Sequence, residues 1–265
     1  MPDDEVLAQV PRREFRGADF HDAPDEVARE EPLEIRIAGV PIAVTMRTPG
    51  HDEELVRGFL VTERVVDGPE AIVSVRPCSD DVEGNVVQVV LRAAVDLARL
   101  RRNFYASSSC GVCGKATLAG AMSCAAPLAD GPVVAPAVLY ELPARLRAGQ
   151  DVFTATGGLH AAGLFTAAGE PLVVREDVGR HNAVDKVVGW AARRDERRGV
   201  VLMVSGRISF EIAQKALAAR IPIVAAVSAP SSLAIGLGAQ ANLTLVGFLR
   251  GERMCVYSAR DRVHG

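Results

Sequence analysis

Apolar and polar residues alternate with a period of two through Leu33-Glu34-Ile35-Arg36-Ile37, pause at Ala38-Gly39 and resume through Pro41-Ile42-Ala43-Val44-Thr45-Met46. That pattern predicts a hairpin with one buried face. Thr48-Pro49-Gly50 closes it, and the next stretch changes period. Leu55, Phe59, Leu60 and Val66 recur at helical spacing behind an acidic first turn, Asp52-Glu53-Glu54, as expected for a helix over 51–65 whose N-terminus favours negative charge. Two further strands, over 73–75 and 86–91, flank the turn-rich Cys78-Ser79-Asp80-Asp81. Residues 32–102 therefore read as a small α+β unit. Residues 1–31 mix charge with Gly, Pro and isolated apolar positions and read as an irregular arm.

Residues 103–265 read as a second unit. A helix is expected over 116–122 and another over 139–146. Val152-Phe153-Thr154-Ala155 reads as a strand running into Thr156-Gly157-Gly158-Leu159-His160, and Leu164-Phe165 pairs with 172–175 across Ala168-Gly169-Glu170. A polar stretch from Glu176 to Lys186 opens a helix that runs to Ala192. The pattern then becomes regular: strand 200–204, helix 210–219, strand 221–227, helix 233–239, strand 243–246. Continuous β-branched runs alternating with helices indicate parallel strands buried on both faces, so this unit is α/β.

The 265 residues are 49% hydrophobic and 24% charged, in the range of ordinary globular proteins. A net charge of -3 and a pI near 6.0 argue against general nucleic-acid or anionic-membrane binding. Met1-Pro2-Asp3-Asp4-Glu5 has neither the basic nor the apolar region of a secretory signal, and no apolar run is long enough to span a bilayer. Five cysteines with only one close pair fit a reducing compartment better than a disulfide framework. A cytoplasmic protein is expected.

That close pair is the most reactive feature of the chain. Cys110-Gly111-Val112-Cys113-Gly114-Lys115, entered through Ser107-Ser108-Ser109, puts two thiols in one tight turn ahead of a helix start, where the thiolate is favoured. The turn by itself allows half a zinc site, a dithiol redox couple, a sulfur-relay cysteine or an inert reduced pair. Zinc is disfavoured because no second Cys-x-x-Cys or His-x-x-x-His supplies the missing ligands; Cys78, Cys124 and Cys255 read as small buried or half-buried residues.

In an open parallel sheet, ligands lie beyond the carboxyl ends of the strands, where helix N-termini attract anions. Here those ends lead into Ser205-Gly206-Arg207-Ile208-Ser209 and Ser228-Ala229-Pro230-Ser231-Ser232. Both loops suit an anionic ligand, and both equally suit simple helix capping. His160 follows a glycine pair, and His181 and Asn182 sit at a helix start among Asp177, Arg180, Asp185 and Lys186. These are candidate pocket residues, with structural histidines and a solvated helix face as the alternatives. The order of elements is similar to that of the zinc-dependent nucleobase deaminases, but His160 is followed by Ala161-Ala162 and lacks the proton-shuttling glutamate. Deaminase chemistry is not expected.

Four segments in order resemble one family, the formate dehydrogenase accessory proteins FdhD/NarQ. They are the cysteine turn 110–114, Thr156-Gly157-Gly158-Leu159-His160-Ala161-Ala162, the run from Glu176 to Lys186, and Asn242-Leu243-Thr244-Leu245-Val246-Gly247-Phe248 closing on Val256-Tyr257. The resemblance runs from about Glu31 to the C-terminus. It implies a cytidine-deaminase-like three-layer α/β domain without deaminase activity, a homodimer, and passage of persulfide sulfur from a cysteine desulfurase to the bis-molybdopterin guanine dinucleotide molybdenum cofactor before its insertion into formate dehydrogenase. It places the persulfide on Cys110, with Cys113 beside it, and the cofactor-binding stretch on Phe248, Leu249, Arg250, Gly251, Glu252 and Arg253. Ser205, Arg207 and Ser228 are expected near the phosphates of such a cofactor. His160, His181 and Asn182 are expected as hydrogen-bond donors toward its reacting end. A dithiol oxidoreductase and a zinc-stabilised nucleotide-binding scaffold are the alternative readings.

Overall fold

The computed structural model describes residues 6–96, 126–194, 196 and 198–265. Charge density made the N-terminal stretch read as irregular, yet β1 (Leu7–Arg16) and β2 (Asp19–Ala28) form a hairpin paired along its whole length, from Leu7 opposite Ala28 to Arg16 opposite Asp19. The charges fit this pairing: Arg13 makes a bidentate contact with Asp22, directly opposite, at 2.7 and 2.8 Å, and Arg12 meets Asp25 diagonally across the strands at 3.2 Å. Opposite charges placed directly across a ladder stabilise it, whereas their linear density alone resembles a disordered tail.

The predicted α+β unit is a four-stranded sheet in the order β4-β3-β6-β5, with β3 at Glu31–Ile37, β4 at Val40–Arg47, β5 at Ile72–Pro77 and β6 at Val86–Leu91. β3 pairs antiparallel with β4 and parallel with β6. Leu33, Ile35 and Ile37 point inward with Val87 and Val89, all buried, as the period-two pattern requires. Helix α1 (Asp52–Thr62) covers this face.

The larger sheet has six strands in the order β12-β11-β10-β9-β7-β8: β7 His160–Phe165, β8 Pro171–Asp177, β9 Val201–Val204, β10 Ile223–Ala226, β11 Thr244–Arg250 and β12 Arg253–Ser258. Only β9, β10 and β11 are mutually parallel; β7, β8 and β12 run antiparallel to their neighbours. Every residue of β9 and β10 is buried, which explains their uninterrupted apolar runs. Side chains alternate between two cores. Leu202, Val204, Val224 and Ala226 join one with the helices α4 (Arg180–Arg194), α5 (Phe210–Ala218) and α6 (Ser232–Gln240). Val201, Met203, Ile223 and Ala225 join the other with Leu139, Leu142 and Leu146 of α2 (Pro136–Arg147).

Residues 152–155, expected as a strand, lie in a short helix, α3 (Asp151–Thr156). Valine and phenylalanine favour strands locally, but the Glu176 carboxylate accepts hydrogen bonds from the Val152 and Phe153 amides at 2.9 and 2.8 Å and so satisfies the helix N-terminus from outside. The two expected units share one core: residues from Leu33 to Val89, including those of α1, cluster with residues of α4, α5 and the larger sheet. The contact is closest where α1 crosses α4. A Cβ on Gly58 would stand 1.8 Å from the Asp185 carbonyl oxygen, and one on Gly189 1.8 Å from that of Glu54. The helices therefore meet backbone to backbone.

Candidate functional site

The carboxyl ends of β9, β10 and β11 gather most of the residues that the sequence marked. Ser205 ties the end of β9 to the start of β7: its amide donates to Ala161 O at 3.0 Å, and its hydroxyl accepts from the Ala161 amide at 2.9 Å. This brings His160 against Gly206. A Cβ there would lie 3.6 Å from His160 Nδ1 and 4.0 Å from Arg180 Cδ. Burial, then the positive charge of Arg180 and the proximity of His181, lower the pKa of His160, outweighing the carboxylate of Asp177. The charged form of His160 is thus disfavoured beside a cationic neighbour.

His181 occupies the next position, at the first turn of α4. Its Nε2 lies 2.8 Å from Glu211 Oε2. His181 in turn is the main cause lowering the pKa of the Glu211 carboxyl. Glu211 was not foreseen; the only signal in the sequence is an acidic residue in the first turn of the helix that follows Ser205-Gly206-Arg207.

The two loops at the strand ends are knitted together. Ile208 N donates to Ala229 O at 3.2 Å, and Ser231 N to Ile208 O at 3.0 Å. Ser209 and Ser231 cap their helices through the amides of Ile212 and Ala234 at 3.4 and 3.2 Å, so capping accounts for these two hydroxyls. Arg207 is exposed at the turn of the first loop.

A register shift in β11 after Gly247 draws the 248–253 stretch onto the second loop. Phe248 N donates to Ser228 O at 3.1 Å, and Arg250 Nε to Val227 O at 3.2 Å. A Cβ on Gly247 would lie 2.7 Å from Pro230 Cδ, so only glycine permits this approach. Phe248 takes a left-handed backbone and is 42% exposed. Arg250, Gly251, Glu252 and Arg253 are exposed at the turn into β12, whereas Leu249 is buried in the α2-side core. Exposed Arg207, Arg250 and Arg253, with half-buried Arg180, make this end of a net acidic chain locally cationic. Planar guanidinium groups beside helix N-termini favour phosphate-bearing ligands.

Asn182 lies beneath this surface. Its amide donates to Met46 O at 2.7 Å and Asp177 Oδ1 at 3.0 Å, and its oxygen accepts from Thr45 Oγ1 at 3.2 Å. Both donor hydrogens are thus engaged within the protein. Asp177 also accepts from the amides of Thr48 and Gly179 and pairs with Lys186 at 2.8 Å. Deeper along α4, Asp185 meets Lys215 at 2.8 Å and accepts from the Thr62 hydroxyl at 2.7 Å. Much of the polar run read as a candidate ligand cluster is therefore a buried joint between the small sheet and α4. The joint holds Arg180 and His181 at the sheet end.

Cys110, Cys113 and Cys124 lie outside the described residues. Cys78 and Cys255 are half-buried free thiols. Among the described residues, no group of three or more His, Cys, Asp or Glu side chains is placed to hold a metal, and no helix is long and apolar enough to cross a membrane.

A family model described as the FdhD/NarQ family matches residues 28–264. The chain is 52% identical over 251 residues to a protein of Mycolicibacterium paratuberculosis named Sulfur carrier protein FdhD, covering 91% of this chain and 92% of that one. It is 55% identical over 248 residues to the protein of the same name from Nocardia farcinica, covering 90% and 88%. A crystal structure of a putative formate dehydrogenase accessory protein from Desulfotalea psychrophila superposes with a TM-score of 0.77 at 25% identity, covering 97% of this chain and 99% of that one. On these matches the chain belongs to the FdhD/NarQ family.

Proposed function

We propose that this chain is a sulfur carrier that serves formate dehydrogenase. The observation that carries the reading is its identity of more than half, along about nine-tenths of its length, with proteins named Sulfur carrier protein FdhD. The Cys110 thiolate attacks the outer sulfur of a persulfide on a cysteine desulfurase. A sulfur–sulfur bond forms on Cys110 as the donor's breaks, and the donor cysteine leaves as thiolate. Cys113 supports this exchange. The recipient is the bis-molybdopterin guanine dinucleotide form of the molybdenum cofactor, taken as cargo before insertion into formate dehydrogenase.

Support for an anionic dinucleotide cargo comes from Arg207, Arg250 and Arg253 around the carboxyl ends of β9, β10 and β11, with Ser205 and Ser228 in the loops between them. His160 and His181, at one side of those loops, face the reacting end of the cargo. The helices on both faces of the six-stranded sheet support a deaminase-like three-layer arrangement, without the His-x-Glu pair of deaminase chemistry. The protein works in the cytoplasm as a homodimer. The test is deletion of the chain from the organism that carries it. Formate dehydrogenase activity should be lost, return with the wild-type chain and fail to return with Cys110→Ala; full activity without the chain would overturn the reading.

A further inference from the structure

The β1–β2 hairpin ends at Ala28, where the family match begins, and joins neither of the other sheets. A ribbon of two strands has no second layer of its own and is marginal alone in water. Its edges are poor places for another strand. Pro11 and Pro24 stand directly opposite one another, and since neither has an amide hydrogen the pair must be non-hydrogen-bonded. Both backbones therefore turn a missing donor outward.

One face is better suited to contact. The register puts Phe15 opposite Phe20, Arg13 opposite Asp22, Pro11 opposite Pro24 and Gln9 opposite Glu26, all on the same side. Every one of these side chains is exposed, Phe15 by 65% and Phe20 by 58%. The two rings lie 6.0 Å apart, and the Arg13 guanidinium covers Phe20 at 4.2 Å. On this face β1 presents Arg13 as its charged group and β2 presents Asp22 and Glu26, whereas Arg12, Glu14, Arg16, Asp19, His21 and Asp25 alternate to the other side.

We infer that this face docks on the same face of a second copy, through a two-fold axis parallel to the strands. That axis lays β1 of each ribbon over β2 of the other, with both tips pointing the same way. Phe15 then faces Phe20 of the second copy, Arg13 faces Asp22, and Pro11 faces Pro24. An axis across the strands would instead lay β1 on β1 and β2 on β2, turning Arg13 toward Arg13 and the carboxylates of Asp22 and Glu26 toward one another, which the charges oppose. A ten-residue ribbon is only about 34 Å long, so the contact is small, and the association depends on concentration and weakens with salt. The inference gives the homodimer proposed above an interface and does not depend on the sulfur chemistry.

Mass against concentration, by sedimentation or light scattering, tests it on the full chain. The wild type should rise from 28.1 kDa toward twice that value. The double substitution Phe15→Ser/Phe20→Ser should weaken dimerisation at least tenfold. Arg13→Asp and Asp22→Arg should each be monomeric alone and dimerise when mixed, because only the mixed pair restores opposite charges across the axis. That recovery also shows that both hairpins are folded. A wild-type chain that stays at the monomer mass rejects both the dimer and the face. A dimer unaffected by the phenylalanine substitutions, or singles that do not recover on mixing, leaves a dimer but rejects this face.

Discussion

Replacing Gly189 by alanine places a methyl group 1.8 Å from the Glu54 carbonyl oxygen, 2.6 Å from its carbonyl carbon and 2.8 Å from the Gly58 amide nitrogen. All three are main-chain atoms of a packed helix, so no side chain can swing aside. Restoring ordinary contact requires α1 and α4 to part by roughly 1.5 Å. At that separation Leu55, Val56 and Leu60 lose their close fit against Val184, Val187 and Val188. The bonds from Arg175 to Glu54, and from Thr62 to Asp185, are pulled from 2.7 Å each. Overpacking typically costs about 1–3 kcal/mol, and disturbing buried charge pairs adds to it. Alanine's better helix propensity returns only about 0.5–1 kcal/mol. A net loss of roughly 3–5 kcal/mol follows, a large share of a stability of about 5–15 kcal/mol. Urea unfolding followed by circular dichroism measures it. Gly236→Ala in α6, where nothing lies within 4 Å of the added carbon, is the control and should be neutral or slightly stabilising. A Gly189→Ala midpoint within about 1 kcal/mol of wild type would refute the reasoning, because the helices would then have room that the backbone contact denies.

Two further predictions concern the sheet-end site. Arg207→Ala should weaken guanosine diphosphate binding at least about fivefold by calorimetry, through loss of a charge-assisted contact to phosphate; equal affinity would move the site away from this loop. His160 should titrate below the ordinary histidine value of about 6.5 by NMR, because burial and Arg180 disfavour its charged form. The unfolded chain then binds the proton more readily, so this group's contribution to stability is present above about pH 6.5 and is lost as pH falls from there through the folded pKa. Bound phosphate should raise the His160 pKa and tighten as pH falls; a midpoint at or above 6.5 without ligand would contradict the placement.

Much of this architecture was legible in the sequence because the signals were periodic. The β3–β4 hairpin, the helix after Asp52-Glu53-Glu54 and the alternation from Val201 to Leu245 all follow apolar spacing set by burial. The loops at the strand ends were legible from their serines and glycines. What escaped was set by partners distant in sequence. Nothing near Val152 reveals that Glu176 will cap its helix, and nothing near Gly58 reveals that Asp185 will lie against it. The arginines and carboxylates of β1 and β2 match only once the chain has turned at Gly17, whose φ is +66°. Asn182, Asp185 and Lys186 are polar residues on a helix buried nearly all round, and sequence alone does not separate a buried joint from a ligand cluster.

The most direct test of a sulfur carrier is mass spectrometry of the purified chain after incubation with a cysteine desulfurase and cysteine. One added sulfur should appear on the peptide that carries Cys110, be removed by a thiol reductant, and be absent from Cys110→Ala, with Cys113→Ala losing less. Undiminished labelling of Cys110→Ala would contradict the assignment to that thiol. A Cys110–Cys113 disulfide or stoichiometric zinc in place of any added sulfur would contradict the sulfur carrier itself.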